Sequence, residues 1–66
     1  MDARAIELVA GGLDRVPEVA RFLGLSRSKV YQLMDDGCLP YVKVGKCRRI
    51  PHQAVLEFAA RQIVSR

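Results

Sequence analysis

The chain has 66 residues, half of them hydrophobic but only four aromatic, and eleven Lys and Arg against seven Asp and Glu give it a formal net charge of +4. A chain this short is expected to be one small domain near the lower limit for an unstapled core, with no second, ligand-sensing domain and no apolar run able to span a membrane. Cys38, Cys47 and His52 lack the Cys-x-x-Cys spacing and the four ligands of structural zinc. With no secretory signal ahead of them, the cysteines are read as small buried or half-buried thiols in a reducing cytoplasm, so neither metal nor cofactor is expected.

Residues 1–12 form a tail in which Ala5, Ile6, Val9 and Ala10 make a short helical pattern that Gly11-Gly12 would stop. Residues 13–66 are expected to form the domain. Leu13-Asp14-Arg15 leads into a first firm helix, with Pro17 in its opening turn and Val16, Val19, Ala20 and Leu23 on one stripe. Gly24 ends that helix, Leu25 is expected to plug the angle between helices, and Ser26 is a good N-cap for the next. The second helix is expected from about Arg27 to Asp36, capped by Gly37, with Val30, Leu33 and Met34 inward. Its outward face is centred on Ser28 and Gln32, flanked by Lys29, Tyr31 and Asp35.

Cys38-Leu39-Pro40 reads as a connector. Tyr41-Val42-Lys43-Val44 alternates at strand period, Gly45-Lys46 is a turn, and Cys47-Arg48-Arg49-Ile50 returns, which makes a basic hairpin. Val42, Val44 and Ile50 are expected to close onto the helices while Lys43, Lys46 and Arg49 point outward. Arg48 shares parity with Ile50, so its stem is expected along the core edge with the guanidinium free. Pro51 opens a last helix, expected from His52 to about Val64, with Ala54, Val55, Phe58, Ala59 and Ile63 on its stripe. Phe58 is expected to be its largest contributor, at roughly 2–3 kcal/mol of burial.

Charge is not spread evenly. Arg27, Lys29, Lys43, Lys46, Arg48 and Arg49 face only Asp35 and Asp36 within residues 27–49, so the whole excess of +4 lies there and the rest of the chain is balanced. Two helices joined by a Gly-Leu-Ser turn, followed by a basic hairpin, form the frame that sets a helix in the DNA major groove. Solvated polar residues are the ordinary reading of an outward helix face, and Lys on an edge strand also guards against aggregation. Four cations in the hairpin without an acid exceed that need, and the helix N-terminus beside Arg27 and Lys29 is a ready anion site. No Ser-His-Asp set, carboxylate pair or phosphate loop suggests catalysis, and no catalytic residue is assigned.

The series V-x-E-V-A-x-x-L-G-L-S-R-S-x-V-Y, then G-x-L-P-x-x-x-V-G and R-I-P, resembles the small excisionase and AlpA-type winged helix-turn-helix domains, relatives of the MerR DNA-binding head. The match runs from Val16 to about Phe58, some two thirds of the chain. The resemblance implies an α+β winged helix-turn-helix with two helices, a basic β-hairpin wing and a C-terminal helix. It implies that Ser26, Arg27, Ser28, Lys29, Tyr31 and Gln32 form the reading helix and that Lys43, Lys46 and Arg49 form the wing; Arg48, with its guanidinium expected free, is counted with them among the DNA-binding residues. Implied partners are double-stranded DNA, a site-specific integrase and neighbouring copies of the chain on DNA, with no membrane and no small-molecule effector. The implied role is a recombination directionality factor of a phage or plasmid that bends DNA and assists excision, with an AlpA-like transcription regulator as the alternative. A protein-interaction module docking through the tail and last helix is the reading from another class, distinguished by failure to be retained on DNA or heparin. The chain departs from the family pattern at Arg48, where these domains often carry a bulky apolar or aromatic residue.

Overall fold

The structure, a computed structural model, describes residues 2–65. Its elements in order are α1 (Ala3–Ala10), β1 (Leu13–Asp14), α2 (Val16–Leu23), α3 (Arg27–Asp35), β2 (Val42–Val44), β3 (Cys47–Pro51) and α4 (His52–Arg61). The strands form one antiparallel sheet in the order β1-β3-β2. This is a small α+β winged helix-turn-helix, with β2 and β3 as the wing and with one strand, β1, more than the sequence reading contained.

Local chemistry sets the two central helices. Pro17 occupies the opening turn of α2, where its missing N–H has no partner to lose, and the Glu18 carboxylate accepts from the Arg15 backbone N–H at 2.9 Å. At the far end Gly24, at φ 70°, donates to the Arg21 carbonyl while Leu25 donates to that of Ala20, the paired bonds of a Schellman ending. Ser26 caps α3, its Oγ accepting from the Lys29 N–H at 3.1 Å. The end of α3 repeats the device: Gly37, at φ 80°, donates to Met34 and Cys38 to Leu33. Helix α3 itself ends at Asp35, with Asp36 as its cap and Gly37 one residue beyond.

The core is built where these elements meet. Val16, Val19 and Ala20 of α2, Val30, Leu33 and Met34 of α3, Leu39, Ile50 of β3 and Val55 of α4 form one buried cluster. Leu39, placed by sequence in a mere connector, is fully buried and belongs with Ile50, Val19, Val30 and Val55 among the largest wholly enclosed side chains. Phe58, expected as the chief contributor of α4, is only half-buried at the cluster's edge, and Leu23 is likewise peripheral. Leu25 does not plug the interhelical angle. It remains 36% exposed, on a shallow apolar groove with Leu23, Leu33, Cys38 and Phe58.

Two other expectations change. Helix α4 stops at Arg61 rather than Val64: its last turn tightens through bonds from Gln62 to Ala59 and Ile63 to Ala60. Ile63 and Val64, 74% and 77% exposed, have no surface to cover there, and β-branched residues do not extend a helix without one. Residues 13–14 form β1, pairing Leu13 with Pro51 and Asp14 with Ile50, and the His52 N–H donates to the Gly12 carbonyl at 3.0 Å. A two-residue strand has no periodicity to read. The tail is a true helix, capped by Asp2 and packed on α4 although none of its residues is buried.

That docking rests on the Arg4–Glu57 ion pair, the guanidinium donating to the carboxylate. The hydrogen bond from Arg4, reinforced by one from Gln53, holds the Glu57 carboxyl below the ordinary carboxylate range. A depressed folded-state value stabilises docking above the unfolded carboxylate pKa, and the contribution is lost as pH falls through the folded value. Acidification below the carboxylate range, or Glu57→Gln at neutral pH, should therefore lower the amide protection factors of α1 while those of α2 and α3 hold; equal protection of α1 in Glu57→Gln and the native chain at neutral pH would contradict the pairing.

Burial also ranks the core. Leu39→Ala should cost about 2–5 kcal/mol, a large share of the stability of so small a domain, and Phe58→Ala should cost less. Urea titration followed by circular dichroism reads the order directly.

Candidate nucleic-acid interface

Helix α3 turns Val30, Leu33 and Met34 into the core, which leaves the opposite face open to solvent. Arg27, Ser28, Lys29, Tyr31 and Gln32 are all exposed. Helical spacing orders them around the cylinder: Ser28 and Gln32 lie at the centre, Tyr31 and Asp35 on one flank, Lys29 on the other. Lys29 borders the groove of Leu23, Leu25 and Phe58, so that flank looks toward α2 and α4. The Tyr31–Asp35 flank looks toward the wing. Ser26, expected among the contact residues, has its Oγ engaged as the N-cap of α3.

The wing's register fixes its faces. The turn at Gly45-Lys46 pairs Val44 with Cys47, Lys43 with Arg48 and Val42 with Arg49. Directly opposed residues of an antiparallel pair share a face. Lys43 therefore shares the face of Arg48 and Ile50, while Val42, Val44, Cys47 and Arg49 take the other. The expected grouping of Val42, Val44 and Ile50 does not occur, and Val44 is 61% exposed. A two-residue turn reverses the parity that each strand suggests by itself. Lys43 and Lys46 are exposed. Arg49 is half-buried and donates from Nη1 to the Arg48 carbonyl at 2.9 Å.

Arg48 joins helix and wing. Its Nη1 donates to Asp35 Oδ1 at 3.1 Å, and its Cζ lies 4.8 Å from the Tyr41 ring centre and 5.7 Å from that of Tyr31. Tyr31 and Asp35 stand one turn apart on α3 and so present a single flank to this guanidinium. The position at which the sequence departs from the pattern it resembles is thus filled by a cation that lies over two aromatic rings. Sequence reasoning noted Tyr31 and Asp35 as flanking residues and missed Tyr41; the signal available was a pair at helical spacing i, i+4 in a window where Asp35 is one of only two acids.

The side chains of Arg27, Lys29, Lys43 and Lys46 enter no ion pair among the described residues, whereas Arg48 is matched by Asp35 and Arg4 by Glu57. Arg15, Arg21 and Arg61 are also without an acidic partner among the described residues, at α2 and α4. The four on the exposed side of α3 and on the wing are grouped within residues 27–49, where the excess charge lies, a distribution suited to a polyanion. Elsewhere, His52 Nδ1 sits 2.8 Å from Asp14 Oδ2, and the edge of its ring meets Phe22, which ties β1 and α2 to the start of α4. Cys38 and Cys47 are free but exposed rather than buried or half-buried as expected, because the connector and the end of the wing carry them beyond the apolar core. Among the described residues no group of three or more His, Cys, Asp or Glu is placed to hold a metal ion, and no helix is long and apolar enough to cross a membrane.

Comparison with known proteins agrees with this geometry. A family model described as a helix-turn-helix domain matches residues 15–63. A protein named "Probable excisionase" from Saccharopolyspora erythraea is 46% identical over 48 residues, covering 73% of this chain and 49% of the relative, so the chain matches about half of that protein's length. A protein named "Excisionase" from Streptomyces ambofaciens is 42% identical over 48 residues, covering 73% of this chain and 77% of the relative. No solved structure matches. With a helix-turn-helix model spanning most of the chain, and a wing and exposed helix face of the expected kind, the chain belongs to the excisionase and AlpA-type family of small helix-turn-helix DNA-binding proteins.

Proposed function

We propose that this protein is an excisionase, an architectural factor that binds DNA in tandem sites, bends it and helps a site-specific integrase to excise rather than integrate. The observation that carries the reading is the juxtaposition of α3's open face with the basic wing, both held by Arg48 on one side of the molecule. Excisionase names among the relatives support the same role. Ser28 and Gln32 would reach base edges in the major groove, Arg27 and Lys29 the phosphates at its border, and Lys43 and Lys46 the backbone beyond. Arg49, half-buried, would contribute less than either wing lysine.

Counterion release gives the wing a measurable signature. Lys43→Ala combined with Lys46→Ala should flatten the dependence of log affinity on log salt by about 2, at ~0.9 for each phosphate contact. An unchanged slope would mean that the hairpin stands clear of DNA.

Gln32 should act on sequence choice, because its amide can pair with adenine N6 and N7. Gln32→Ala is expected to cost about 1–3 kcal/mol on the specific site and almost nothing on random DNA. Equal losses on both would reassign it to backbone positioning.

One recognition helix and one wing bury only a single-module interface, so affinity should be built from several adjacent copies. The protein should be monomeric in solution and should fill direct repeats about one helical turn apart with positive cooperativity, on DNA bent at a cost of ~1–6 kcal/mol. Gel shifts on one, two or three sites, with circularly permuted fragments reporting the bend, test this. A preformed symmetric dimer on unbent DNA would favour the AlpA-like transcription regulator instead.

A further inference from the structure

We propose that Arg48 is a positioning residue, which clamps the wing to α3 and sets the distance between the two DNA-contacting elements, rather than a phosphate ligand. The proposal rests on the DNA-binding reading above but concerns a different property, the internal geometry of the binding surface. The sequence reading counted Arg48, with its guanidinium free, among the DNA contacts. The structure gives its guanidinium three partners within the protein: the Asp35 carboxylate and the faces of Tyr31 and Tyr41. Two of these belong to α3, and Tyr41 immediately precedes β2. Arg48 itself lies on β3, opposite Lys43, two residues along the same face from the fully buried Ile50.

Such a contact acts where nothing else does. Beyond Ile50 the hairpin leaves the core, since Val44 and Cys47 are exposed and Val42 is only half-buried. The apolar cluster therefore fixes the base of the wing and cannot fix its tip. A planar cation over two rings and bonded to a carboxylate supplies the missing constraint, and an ammonium does not reproduce that geometry. Asp35 also becomes intelligible. A carboxylate in the last turn of a helix opposes the helix dipole, and beside a polyanion it is repulsive as well, so its presence is costly unless it holds something in place.

The two roles for Arg48 predict opposite signs. Affinity for a fluorescein-labelled mixed-sequence duplex would be measured by anisotropy for the native chain, Asp35→Asn and Arg48→Lys, with thermal unfolding as the check on folding. A positioning role predicts that both variants remain folded and bind about three- to tenfold more weakly, the range expected for losing one partly exposed cation–π or ion-pair contact. That weakening would occur although Asp35→Asn removes a negative charge and Arg48→Lys keeps the positive one. If Arg48 is instead a phosphate ligand, Asp35→Asn frees it and tightens binding, and Arg48→Lys binds like the native chain; that result overturns the proposal. Backbone 15N relaxation of the free protein separates this from the DNA reading itself. Asp35→Asn and Tyr41→Leu should loosen Val44 to Cys47 while leaving α2 and α3 unchanged, and a wing equally ordered in both variants overturns the proposal even if the native chain fails to bind the duplex.

Discussion

The burial of Ile50 is the constraint on which the rest of this small protein depends. It is fully enclosed, it sits on the central strand of the sheet, and its strand packs against both α2 and α4. Val19, Val30, Val55 and Leu39 close around it from three helices and the connector. A core this small has few ways to lose contact and reform it, so the orientation of β3 relative to α3 is set by packing rather than by the turn alone. Because Arg48 lies on the same face two residues nearer the tip, enclosing Ile50 also determines where the guanidinium stands. The core in this sense places the base of the wing and the clamp residue, and the clamp extends that placement toward the tip.

Charge is divided in the same way. The cations matched by acids serve the architecture: Arg4 on Glu57 docks the first helix, and Arg48 on Asp35 holds the wing. Arg27, Lys29, Lys43 and Lys46, without acidic partners among the described residues, lie on the outward side of α3 and on the hairpin, where a phosphate backbone would neutralise them. The exposed Ile6 and Val9 of α1, and Ile63 and Val64 beyond α4, lie on elements outside this surface.

Much of the fold was legible in the residues because its signals are local. Gly24 and Gly37 announce the ends of α2 and α3 through the left-handed conformation that their Schellman endings require, and Ser26 announces a start through its side-chain oxygen. Val30, Leu33 and Met34 were readable as core because helical period alone sorts them. What was not legible depended on distant partners. Leu39 looks like a linker residue until α2, α3 and β3 close over it, Phe58 looks central until the smaller Val55 and Ala54 prove to be the inward residues of α4, and β1 exists only because β3 offers an edge. The wing's faces could have been derived, since a two-residue turn dictates that Val42 opposes Arg49, yet reading each strand by its own alternation gives the reverse. Of the candidate site, the outward residues of α3 were readable from periodicity, whereas the Arg48 clamp required Tyr41 and Asp35 to meet across the fold.

The central claim is that α3's open face and the wing form one DNA-binding surface. Amide chemical-shift mapping of the 15N-labelled protein during titration with duplex DNA tests it most directly. The account predicts that perturbations concentrate on Arg27 to Gln32 and on Lys43 to Lys46, with α1 and the second half of α4 unaffected. Perturbations centred on α1 and α4, with α3 and the hairpin silent, would contradict it.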